Sequence, residues 1–132
     1  MVVVDGAGVP LGSQLVSASP AEVTLAESTL AQIPKRQRPL RVVADRAYDS
    51  DRLRGRLLQR GILLISPHRR NRKQPAFNDG RWLRRYRKRW KIERTFAWLG
   101  NFRRLLVRYD HHLLMYEAFF HIACLIITLR YL

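Results

Sequence analysis

Carboxylates are scarce where this chain is most basic. Between Arg69 and Arg108 there are fifteen Lys or Arg and only two acids, Asp79 and Glu93. Cysteine is nearly absent: Cys124 stands alone, which excludes an internal disulfide and is compatible with a reducing compartment. No secretory leader is visible, because Met1-Val2-Val3-Val4 runs directly into Asp5-Gly6 without a basic start or an apolar stretch of adequate length. The longest apolar run, Leu113 to Leu129, is interrupted by Glu117 and His121. A spanning helix wants about 20 predominantly apolar residues, so a buried terminal helix is expected and no membrane partner. Internal repeats and low-complexity tails are lacking too.

What is present is one core and a large excess of positive charge. With 132 residues, 47% of them hydrophobic, a single domain over 1–132 is expected. A formal charge of +15 and a pI near 11.4 point to a polyanionic partner.

Local signals give an element order. Val2-Val3-Val4 and Leu11 to Val16 read as strands around an Asp5-Gly6-Ala7-Gly8 hairpin turn. Ser19-Pro20-Ala21-Glu22 has the form of a capping box opening a helix that runs to about Ile33. Leu40 to Ala44 is a short strand ending at Asp45. Asp49-Ser50-Asp51 caps a second helix, with Asp49 or Asp51 as the capping acid, and Gly61 stops it. Ile62 to Ile65 is a further strand, and His68 to Asp79 a mobile basic loop. One long helix is expected from about Arg81 through Leu99 and a last one from Leu113 to Tyr131. Strand–helix–strand crossovers of this length predict an α/β fold: a mixed sheet with parallel neighbours and helices on both faces.

Two carboxylates stand out against this background. Tyr86, Arg89 and Glu93 fall on one face of a helix, with Glu93 the acid at the centre of the basic stretch. One reading is an exposed i,i+4 ion pair worth a few tenths of a kcal/mol. The other is a ligand for a divalent cation held against a phosphodiester. Asp45 stands at the carboxyl end of a strand, where open α/β sheets gather their ligands, although a turn aspartate would occupy the same place. Carboxylates from two separate elements, with arginines around both, suit shared Mg²⁺ ions. Asp5 does not belong with them. Its turn precedes a strand expected to run in the same sense as the one ending in Asp45, so it lies at the opposite end of the sheet. His121 and Cys124 have i,i+3 ligand spacing but no second pair, and are expected to be buried packing residues.

Ala44-Asp45-Arg46-Ala47-Tyr48-Asp49-Ser50 resembles the segment around the second catalytic aspartate of bacterial insertion-sequence transposases of the DDE class. Tyr86 through Leu99 resembles the segment carrying their catalytic glutamate, and Asn101 to Leu105, Arg108 to Asp110, Val4 to Leu11 and the closing apolar helix continue the likeness. The resemblance implies an RNase H-like fold and metal-dependent DNA strand cleavage and strand transfer. Asp45 and Glu93 would be catalytic metal ligands for Mg²⁺, with Mn²⁺ able to substitute. Tyr86, Arg89, Lys91, Arg94, Arg103 and Arg104, with Arg69, Arg70, Arg72 and Lys73 of the basic loop, would contact DNA. Transposon ends and target DNA are the implied partners, homo-oligomers are in keeping with the class, and the implied location is the cytoplasm, at the nucleoid.

Two departures accompany this likeness. The family's lysine seven residues beyond the glutamate is Gly100 here, so Lys91, Arg103 or Arg104 would have to replace it. No segment matches the upstream strand that carries the family's first catalytic aspartate. The expectation is therefore an N-terminally truncated sheet with its first strand missing, inactive alone unless a fragment from an upstream reading frame supplies that residue. The competing reading is a basic nucleic-acid-binding protein without chemistry, or a decayed transposase remnant.

Overall fold

The computed structural model describes residues 1–16, 21–75, 80–107 and 112–131. Strands β1 (Val2–Val4) and β2 (Pro10–Ser13) form the antiparallel hairpin. Helix α1 (Glu22–Ala31) follows, then β3 (Arg41–Val43), a 3-10 turn at Arg46–Tyr48, α2 (Asp51–Gln59) and β4 (Leu63–Ile65). The order β-β-α-β-α-β is the expected one, and β3 pairs with β4 in parallel, Val42 opposite Leu64. That pairing is what a helical crossover through α2 permits. Ser19 and Pro20 lie outside the described residues, but the expected capping box does not hold: Ala21 is extended and is the N-cap, so Glu22 is the first helical residue and not the third.

One expectation does not hold as stated. Among the described residues the four strands make two separate two-stranded sheets, β1–β2 and β3–β4, and not one mixed sheet. Strands of three or four residues offer few ladder bonds, so side-chain packing has to join the pairs. Val3 and Leu11 of the hairpin, and Val42, Ala44 and Leu64 of the parallel pair, all meet Leu30 and Ile33 from the α1 region and Leu53 and Leu57 of α2 in one apolar cluster. Val2 points the other way, into a second cluster formed by Leu99, Phe120, Ala123 and Ile127. This is the period-two alternation of a strand buried on both faces. The hairpin is thus covered by helices on each side.

The expected continuous helix over Arg81–Leu99 is broken. The chain forms α3 (Gly80–Leu83), a 3-10 segment at Arg84–Arg89, and only then α4 (Trp90–Gly100). Five of the six residues of the 3-10 segment are cations and none of the six is buried. Regular helix in proteins is sustained mainly by packing of an apolar face, and this segment has none to pack. Helix α4 does, burying Thr95 and Leu99. A short α5 (Arg103–Leu106) precedes α6 (Leu113–Leu129), which spans the range expected of the terminal helix. Among the described residues no helix is long and apolar enough to cross a membrane. His121 is exposed on α6, contrary to expectation, because Phe120, Ala123 and Ile127 take the inward positions. Cys124 is partly buried, and desolvation pushes its thiol up to about 11.

Candidate nucleic-acid interface and carboxylate site

Asp45 closes β3 as its position suggested. Its Oδ1 accepts from the Ala47 N–H at 2.8 Å, capping the 3-10 turn Arg46–Tyr48. It is half-buried and forms no ion pair with another described residue, so carboxylate oxygen remains for a further partner. Tyr48 lies beside it, its hydroxyl 3.4 Å from Glu22 Oε2. Burial first, then the charges of Glu22 and Asp45, raises the Tyr48 pKa well above the usual phenol value.

Glu93 sits in the first turn of α4, largely exposed, with Oε1 2.6 Å from Arg89 Nη2. The i,i+4 ion pair is therefore present. Arg89 also lies over the Tyr86 ring at 5.7 Å, so the three residues share one face despite the change from 3-10 to α geometry. Their 3-10 segment packs against β3, the strand that ends at Asp45. Trp82 carries Arg41 at 5.3 Å and Arg85 at 5.7 Å from its ring centre, interleaving aromatic and cationic groups on the same surface. Among the described residues no group of three or more His, Cys, Asp or Glu is arranged to hold a metal ion.

The basic candidates divide into two kinds. Lys91 and Arg94 turn toward the hairpin, where Lys91 Nζ donates to the Gly6 carbonyl and Arg94 Nη2 to that of Ala7. Buried Thr95 completes the set, its hydroxyl donating to Gly8 O at 2.6 Å. Arg94 is further held between the Trp90 and Trp98 rings, 4.9 and 4.7 Å from their centres. These side chains fasten the turn to α4. Arg104 lies over Phe119 at 4.6 Å, whereas Arg103 is exposed on α5. Asp5 is a turn residue: its Oδ1 accepts from Ala7 N at 2.7 Å and Val9 N at 2.9 Å.

Gly8 shows how tightly the turn docks. Its φ is +87°, and a Cβ there would lie 3.1 Å from Thr95 Oγ1 and 3.2 Å from Arg94 Nη2. Gly8→Ala is expected to destabilise the fold by about 1–3 kcal/mol, from left-handed strain alone. Chemical denaturation compared with Gly6→Ala checks this, since a Cβ at Gly6 meets nothing within 4 Å. Equal stability of the two variants would mean that the turn is not fixed on α4.

Asp49 is the residue whose role the sequence pattern misassigned. Ser50 is the N-cap of α2, its Oγ accepting from Leu53 N at 3.3 Å. Asp49 is instead an acceptor hub, with a side chain only 2% exposed. It receives Arg54 Nη1 at 2.5 Å, Arg69 N at 2.7 Å and Arg72 Nη1 at 3.1 Å, and lies 3.0 Å from His68 Nδ1. Burial opposes its ionisation, but the Arg69 N–H and the Arg54 and His68 side chains outweigh that and bring it down to about 2. Arg72 also binds Asp51 at 2.7 Å and reaches the carbonyls of Gln74 and Pro75. The basic loop, read from sequence as mobile, is thus fastened as far as Pro75. Asn78 and Asp79 lie outside the described residues. A surplus acid beside a serine already placed to cap was the one sequence signal for the hub.

The mixed α/β architecture is that of a domain in keeping with the DDE transposases, and the chain belongs to that family: the Transposase DDE domain model matches residues 1–129. Among its relatives is a protein of Burkholderia cepacia described as a transposase for insertion sequence element IS402, 37% identical over 98% of this chain. This chain spans 63% of that protein's length. A second, from Brucella ovis, is described as a transposase for insertion sequence element IS6501 and is 31% identical over 97% of this chain and 95% of its own. No solved structure matches the chain significantly.

Proposed function

We propose that this chain forms catalytic-domain structure of a transposase that cleaves and rejoins DNA strands, with Asp45 and Glu93 as carboxylate ligands of Mg²⁺. The observation that supports the reading is the packing of the Arg84–Arg89 segment, which carries Tyr86 and the Arg89 partner of Glu93, against β3, the strand just before Asp45. An RNase H-like sheet is part of the reading, supported by the parallel β3–β4 pair and by the single apolar cluster that both strand pairs share.

The donor chemistry fits the ion. Mg²⁺ takes oxygen ligands, typically one or two carboxylates with water and substrate phosphate completing its shell. Asp45 keeps oxygen available, and Glu93 engages Arg89 through Oε1. When bound, the ion would polarise the phosphodiester and lower the pKa of a nucleophilic water or 3′-hydroxyl. The protein's own groups do the positioning. Arg89 pairs with Glu93 and, once DNA is bound, turns its remaining donors to phosphate oxygen. Tyr86 lies beside the strand to be cut. DNA, as transposon end and target, is the substrate.

Mn²⁺ titration in the presence of duplex DNA tests the shared site. Broadening of resonances near both Asp45 and Glu93 is expected, and Glu93→Gln should weaken it at Asp45 as well. In a purely structural ion pair, Glu93→Gln would leave DNA binding unchanged or slightly tighter with or without metal. If Mn²⁺ leaves both residues untouched with DNA bound, the metal site is wrong.

A further inference from the structure

The loop fastened by Asp49 presents a shallow depression lined by Arg46, Ala47, Arg69, Arg70 and Asn71, directly beside the turn that Asp45 caps. Its charges are unevenly answered. The carboxylates of Asp49 and Asp51 are matched by Arg54 and Arg72. Arg69 spends one guanidinium donor on a neutral carbonyl, Ala47 O at 2.9 Å. The Arg46 and Arg70 side chains are exposed and make no hydrogen bond or ion pair with another described residue. Three guanidinium charges therefore converge on one depression without a matching acid among the loop's own groups.

We propose that this depression is a binding site for a backbone phosphate of double-stranded DNA, with Arg46, Arg69 and Arg70 as its ligands and Asp49 as the positioning residue that pre-forms it. The inference rests on the DNA reading above and adds to it a division of labour within the basic loop. Arg72, 13% exposed and bound to two aspartates, is structural. Arg46, outside the loop in sequence, belongs to the site. Asp49 binds both the Arg69 backbone N–H and Arg72, so it fixes the path of the chain on either side of Arg70. Ordering the loop before DNA arrives lowers the entropy lost on binding. Asp45 caps the same turn that contributes Arg46 and Ala47, so a phosphate held here sits next to the strand-end carboxylate.

Fluorescence anisotropy of a labelled 20-base-pair duplex of arbitrary sequence, over a salt series, tests this. One phosphate contact contributes about 0.9 to the slope of log K against log salt. Arg46→Ala and Arg70→Ala are each expected to lower affinity about five- to tenfold near 0.1 M salt and to flatten the slope by about one, with unchanged melting temperature. Arg72→Ala and Asp49→Asn should weaken binding through the loop. Added to the Arg46→Ala/Arg70→Ala background, Asp49→Asn should then cost less than a further twofold, because the site it positions is already gone. A full, independent loss in that background would overturn the positioning role. Should Asp49→Asn fail to fold, the exposed Arg46 and Arg70 variants decide the site by themselves. Unchanged binding in both, alongside weakened binding in Arg85→Ala and Arg87→Ala, would overturn the site and leave the DNA reading intact. No binding by the unaltered chain would overturn the DNA reading and the site with it.

Discussion

Arg54→Leu is expected to destabilise the fold by about 3–5 kcal/mol, a large fraction of the net stability of a domain this size. Arg54 is 3% exposed and holds the buried Asp49 carboxylate, while its Nη2 donates to Ser66 O at 3.1 Å and Ser66 Oγ at 2.7 Å. Leucine would fill much of the space but leave a buried negative charge and the fully buried Ser66 without those donors. Urea denaturation at neutral pH measures the loss. The pH dependence supplies a second check. Asp49 is depressed in the folded chain, from an ordinary carboxylate value near 3.8 to about 2. Its contribution is thus present above about pH 4 and is lost as pH falls toward 2, about 2 kcal/mol in all. With Arg54 replaced, the Asp49 pKa moves up and the acid limb of the stability curve becomes shallower between pH 4 and 2. A variant within 1 kcal/mol of the parent, with the same acid limb, would show that Asp49 is not the anchor of the loop.

DNA affinity is expected to collapse with salt. Fifteen cations between Arg69 and Arg108 set an upper limit, but several of them are engaged by other groups of the chain. Lys91 and Arg94 hold the hairpin, and Arg72 holds Asp49 and Asp51. With about six to ten phosphates neutralised, log K should fall against log salt with a slope of roughly −5 to −9, or about 10³- to 10⁵-fold between 50 and 200 mM. Lys91→Ala should leave that slope unchanged and lower stability instead, whereas Arg87→Ala should flatten it by about one. A nearly flat salt dependence would exclude an interface built on phosphate contacts.

The contrast between Lys91 and Arg87 shows how far the sequence could be read. Both belong to one basic run, and composition assigns them the same partner. Only the packing of α4 against the hairpin tells them apart, because the carbonyl that Lys91 meets is that of Gly6, 85 positions away. Asp49 is the same case. Its motif position, one residue before Ser50 at the start of α2, suggests a cap. Its actual partners Arg69 and Arg72 arrive on a loop 20 and 23 positions later. The Asp45 turn needed no such help, since a strand end followed by a capped 3-10 turn is written in adjacent residues.

The sequence by itself determined the order of elements, the hairpin turn at Asp5, the start of α2 within Asp49-Ser50-Asp51, the Gly61 stop, the basic character of the surface and the family likeness. Each of these rests on neighbours within a few residues or on totals over the chain, where local propensity and charge suffice. The tertiary structure decided the two-sheet arrangement, the break at Arg84–Arg89 and which cations are spent inside the fold. Those outcomes turn on desolvation and on donors meeting acceptors from distant segments, and only the folded chain shows which cations already hold a carbonyl or an aspartate.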